Sequence, residues 1–142
     1  MSNSSFTDQA RAVLELARGN ASTRHHDHVD PEHILLGLIA ERDGAGAAAL
    51  KHLGVDLSDV QTRVEGQLKS NRSSGPTGPD LPYTSRAKRV LEFAMRESRD
   101  LKHTHVGSEH LVMGVLRERG PAARVLAKAG ASLDVLRQVT LA

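Results

Sequence analysis

Apolar residues recur at helical spacing along most of this 142-residue chain, and the pattern predicts eight short helices. Ala10, Val13, Leu14 and Ala17 mark the inner stripe of the first, with Thr7 placed to cap it and Gly19-Asn20 placed to stop it. Asp30-Pro31 opens a second helix, apolar at Ile34, Leu35, Leu38 and Ile39 and expected to end near Asp43-Gly44. Ala45 to Leu53 reads as a third helix closed by Gly54. Asp56 caps a fourth, whose face is Leu57, Val60, Val64 and Leu68. Residues 70–82 then carry three prolines and two glycines with no periodicity, the composition of a linker.

The pattern then repeats. His28-Val29-Asp30-Pro31-Glu32-His33-Ile34-Leu35-Leu36-Gly37 returns 77 residues on as His105-Val106-Gly107-Ser108-Glu109-His110-Leu111-Val112-Met113-Gly114. Tyr83-Thr84 matches Phe6-Thr7, and Val90-Leu91-Glu92 matches Val13-Leu14-Glu15. One residue is lost before Pro121, so Leu126 pairs with Leu50, Gly130 with Gly54, and Ser132 with Asp56. The expected fold is all-α: two pseudo-symmetric four-helix repeats packed as one domain. The first repeat is residues 6–69, the linker 70–82 and the second repeat 83–142, with each apolar second helix near the centre.

Composition narrows the function. With two phenylalanines and one tyrosine there is little to stack on bases, and a net charge of +2 spread among acids describes a solvated surface, so no nucleic-acid partner is expected. The longest apolar run, Ile34 to Ala40, is far short of a membrane span. Met1 to Ser5 lacks a signal-peptide core, and a cytoplasmic location is the expectation. Absence of cysteine excludes disulfides and thiolate metal sites. Gly44-Ala45-Gly46-Ala47 has no lysine and no preceding strand, so it reads as a turn between helices and not as a phosphate loop.

Two copies of (F/Y)-T-x-x-A-x-x-V-L, each followed by E-H and a short apolar run closed by glycine, resemble the double N-terminal domain of the Clp (Hsp100) unfoldases, ClpC type. The likeness runs from Phe6 to about Leu141. It implies a recognition module of the Clp protease system that binds phosphoarginine-marked proteins or adaptor proteins. No ATPase motif G-x-x-x-x-G-K-[ST] occurs, so the chain is expected to be either an unfoldase's head or a free-standing adaptor or decoy that engages a Clp unfoldase. The resemblance carries a glutamate that pairs with the guanidinium, and a threonine with helix-start amides that receive the phosphate. That chemistry is sound, since a carboxylate matches the guanidinium fork and a helix start holds an anion. The residues so implicated are Thr7 with Glu32 and Thr84 with Glu109. Arg86 favours the second pair, whereas Gln9, Asp8 and Asp30 weaken anion binding at the first. Phe6 and Tyr83 stand where ClpC-type domains dock adaptors and some cyclic peptide antibiotics, although both also suit hydrophobic staples.

Histidines offer a second reading, a histidine-rich metal-binding or stress-sensing protein, through His25, His26 and His28. Each repeat also spells H-x-x-x-E-H, one residue longer than a zinc-enzyme variant. That extra residue places the first histidine in a loop, so His33 and His110 are expected to bond or pack at a helix start. No catalytic constellation, cofactor or metal is expected.

Overall fold

The computed structural model of the chain describes residues 5–68 and 81–141. Eight helices follow in order: α1 (Asp8–Thr23), α2 (Pro31–Ala40), α3 (Ala45–His52), α4 (Leu57–Leu68), α5 (Ser85–Asp100), α6 (Ser108–Glu118), α7 (Pro121–Lys128) and α8 (Leu133–Leu141). Thr7 and Thr84 cap α1 and α5, each accepting a hydrogen bond from the amide three residues on (Ala10 and Ala87, both 3.1 Å). Gly54 and Gly130 take positive φ after α3 and α7, the left-handed stop that glycine provides without strain. Most of the expected linker lies outside the described residues.

Two boundaries differ from the sequence reading. Gly19-Asn20 does not stop α1; the helix runs to Thr23, and His25 supplies the left-handed residue at φ 60°. Helix α2 ends at Ala40, before Asp43-Gly44.

The shared glycine of the two copies has a packing cause. A Cβ on Gly37 would overlap the Val13 carbonyl oxygen, and one on Gly114 would overlap that of Val90. Each apolar helix therefore presses directly on the backbone of the helix before it, forming a close antiparallel hairpin. Nearly all of α2 is buried, as is α6 through Val115, so these two helices form the centre.

The repeats are interleaved. Thr7 donates to Val106 O (2.9 Å) and Val106 N–H to Ser5 O (2.9 Å), so the entry to α1 pairs with the entry to α6. Symmetrically, Val29 N–H donates to Pro82 O (2.8 Å) and Thr84 N–H to Val29 O (3.0 Å). Helix α3 packs chiefly on α6 of the other repeat. Gly46 N–H there donates to the Ser108 hydroxyl at 2.7 Å.

Candidate functional site

This exchange changes the pairing of the sequence-predicted residues. In an antiparallel hairpin the start of α1 lies at the far end from the start of α2. Eight residues of α2 separate Glu32 from Ala40, roughly 12 Å of helix, and Gln9 at the start of α1 reaches Asp43 O beyond that end (3.4 Å). Thr7 is therefore not beside Glu32, nor Thr84 beside Glu109. The structure brings together Thr7 with Glu109, and Thr84 and Arg86 with Glu32. The sequence pairs residues within each repeat, and the fold pairs them across.

At the α2–α5 recess, Glu32 is only 8% exposed and its Oε1 is buried with no hydrogen-bond partner. Burial raises its pKa, the nearby Asp30 raises it further, and Arg86 opposes both. Arg86 makes a two-pronged pair with Glu118, Nε to Oε2 at 2.8 Å and Nη2 to Oε1 at 3.2 Å. Its guanidinium lies over Gly120, the residue that caps α7; a Cβ there would collide with it. Three helix starts (α2, α5 and α7), one cation and one half-satisfied buried carboxylate thus share a small region. Asp30, expected to burden the Thr7 site, belongs here.

The other recess is lined by Thr7, Glu109, Lys102, His103, His105 and Thr140, among others. Gln9 stands where Arg86 stands in its counterpart. Glu109 is more open than Glu32, with 23% of its side chain exposed. Its carboxylate folds over Gly107, in space that a Cβ would fill. Across the pseudo-twofold that position is Asp30, so Glu32 cannot adopt the same arrangement. Phe6 is buried in the core, whereas Tyr83 is half-buried beneath the Arg18 guanidinium at 4.8 Å.

The histidines form structural pairs. Asp30 N–H donates to His33 Nδ1 (2.9 Å), which assigns the proton to Nε2, the nitrogen 2.6 Å from His26 Nδ1. The second repeat does the same: Gly107 N–H to His110 Nδ1 (2.8 Å) and His110 Nε2 to His103 Nδ1 (2.8 Å). Burial, then the neighbouring His26, hold His33 down to about 3. His28 instead contacts Asp27 and Asp30, and His25 is exposed. Among the described residues no three histidine or acidic side chains converge to hold a metal. These pairs were missed in the sequence, although their shared seven-residue spacing was visible.

Comparison with known proteins agrees with this architecture. The chloroplastic chaperone protein ClpC of Pisum sativum is 46% identical over 133 residues, which is 93% of this chain and 14% of that protein. The chloroplastic ClpA homologue of the ATP-dependent Clp protease from Brassica napus is 45% identical over 93% of this chain and 15% of its own length. This chain thus spans about one seventh of such relatives. The N-terminal domain of ClpD from Arabidopsis thaliana superposes with a TM-score of 0.76 at 27% identity, covering 99% of this chain and 95% of that one. The ClpV N-domain of Vibrio cholerae superposes at 0.82 with 18% identity over 96% and 83% of the two chains, a likeness of fold. A ClpV N-domain has also been solved in complex with a VipB peptide. The family pattern of the Clp repeat (R) N-terminal domain matches residues 5–129, and the chain belongs to that family.

Proposed function

We propose that this chain is a substrate- and adaptor-recognition module of a Clp unfoldase system, and that it receives phosphoarginine-bearing protein segments at the α2–α5 recess. The carrying observation is Glu32, a buried carboxylate with one oxygen unpartnered beside Arg86 and three helix starts. A guanidinium would satisfy Glu32 with paired N–H donors, a stronger contact than a neutral hydrogen bond. The attached phosphate would take the Thr84 hydroxyl and the first amides of α5, with Arg86 shared between Glu118 and the new anion. The Thr7–Glu109 recess offers the same frame without an arginine at position 9, and it is the weaker site.

Calorimetric titration with free phosphoarginine tests this. Saturable heat that Glu32→Ala and Arg86→Ala abolish, and Glu109→Ala reduces only slightly, is the expected result. Dominance of Glu109 would reverse the ranking of the sites. Absence of heat from every variant, with all folded, would refute phosphoarginine recognition and leave adaptor docking as the function.

A further inference from the structure

The two repeats share a surface that one fills and the other leaves open. On α1, Leu16 and Gly19 face outward beside Leu36 and Ala40 of α2, with Glu15 and Glu41 on the rim. Leu16 is 41% exposed, one of two large apolar side chains so open among the described residues. The matching positions in α5 and α6 are Phe93, Arg96, Met113 and Arg117, with Glu92 and Glu118 in register with Glu15 and Glu41, although Glu118 is taken up by Arg86. There Arg117 stacks on the Phe93 ring at 4.6 Å and Arg96 stands 5.9 Å from it. The repeat can therefore close this surface with its own aromatic ring and guanidinium groups. The first repeat places Gly19 and Ala40 at both arginine positions.

We propose that this α1–α2 groove docks a short amphipathic helix from a partner protein, with an aliphatic or aromatic anchor seated on Leu16, Leu36 and Ala40 and flanking Lys or Arg side chains meeting Glu15 and Glu41. The charge argument rests on those two carboxylates, which make no ion pair among the described residues. The nearby Arg24 and Glu65 neutralise one another at 2.9 Å, and Arg42 lies toward the α4 end. The intramolecular filling of the second repeat is the chemical template: an apolar body with guanidinium groups beside it. Residues 69–80 carry no aliphatic or aromatic anchor, so the linker sequence does not suit this role. A helix laid in an apolar groove presents anchors at i, i+4 and i+7, which matches the open stripe. This surface is separate from the Glu32 recess, and the proposal stands or falls apart from phosphoarginine binding.

The test uses two fluorescein-labelled helical peptides of about 14 residues, four turns long. Both carry Leu anchors at i, i+4 and i+7; one is flanked by Arg, the other by Glu. Anisotropy titration should show saturable binding of the Arg peptide at least about tenfold tighter than its Glu twin, unaffected by excess free phosphoarginine. The triple variant Leu16→Phe, Gly19→Arg, Ala40→Arg transplants the closure of the second repeat. A Cβ at Gly19 meets nothing within 4 Å and arginine is the better helix former, so the variant should fold with a circular dichroism melt no lower than that of the wild type. It should lose at least about tenfold in affinity, and Glu15→Lys with Glu41→Lys should reverse the peptide preference. Equal binding of both peptides, or full binding by the closed variant, would overturn the proposal. Self-association of the wild-type chain abolished by the closed variant would also overturn it, by making a second copy the occupant.

Discussion

The two α-hairpins of this chain share a frame and differ in their charged finish. Both press a glycine onto the backbone of the preceding helix, and both lock the start of the second helix with a histidine pair. In the second repeat Glu97 is 1% exposed and held by Arg117 (2.8 Å) and by Arg137 through two contacts of 2.8 Å, which ties α8 to α5 and α6. In the first repeat the same position is Asn20, and α4 is tied to α1 by the more open Arg24–Glu65 pair at 2.9 Å. The comparison teaches that frame and finish are separable. Backbone contact sets the hairpin, whereas charge placement decides which surface each repeat leaves open.

The largest effect should come from removing the asymmetric charge. Glu97→Ala is expected to cost about 3 kcal/mol in urea unfolding, the low end for a broken buried pair because both guanidinium groups reach water. Glu65→Ala in the first repeat should cost about 0.5 kcal/mol, as exposed pairs do. Equal losses would break the contrast. Gly37→Ala and Gly114→Ala should each cost about 2 kcal/mol net: overpacking against fixed backbone outweighs the helix-propensity gain of about 1 kcal/mol. Those two values should agree, because the frame is common.

Acid should then separate the histidine pairs. His33 titrates at about 3 in the folded chain against about 6.5 when unfolded, so the unfolded state binds more protons between those values. Its contribution is present above about pH 6.5 and is lost as pH falls, with a slope approaching 1.4 kcal/mol per pH unit. Burial lowers His110 too, but Glu109 partly opposes it, so His33→Gln should flatten the stability–pH curve more than His110→Gln. Glu32, raised by burial, runs the other way: the folded state takes up its proton first, so its contribution to stability grows as pH falls. A smaller effect than at the glycines is expected at the caps. Thr7→Ala and Thr84→Ala should each cost about 1 kcal/mol, equally in both repeats. A difference between them in thermal melts would show that the α1 and α5 entries are not equivalent.

Much of the fold was legible because each element carries a local cause. Apolar spacing gave the helices, Thr7 and Thr84 the caps, and Gly54 and Gly130 the stops. The end of α1 was not legible, since His25 adopts the left-handed conformation usually signalled by glycine, while Gly19 sits within the helix. The histidine pairs required the helices to be folded back on one another before their rings met at 4.8 and 5.0 Å.

The sequence by itself determined that the chain is a doubled all-α unit and which residues stand at each helix start, because repeat register and capping are properties of neighbouring residues. Only the tertiary structure decided which starts meet. Short extended links before α1, α2, α5 and α6 pair across the repeats, and antiparallel hairpins send each first helix away from its own partner's start. Glu32 therefore faces Arg86 and not Thr7, because a site made by exchange between two similar halves leaves no mark in the spacing within either one.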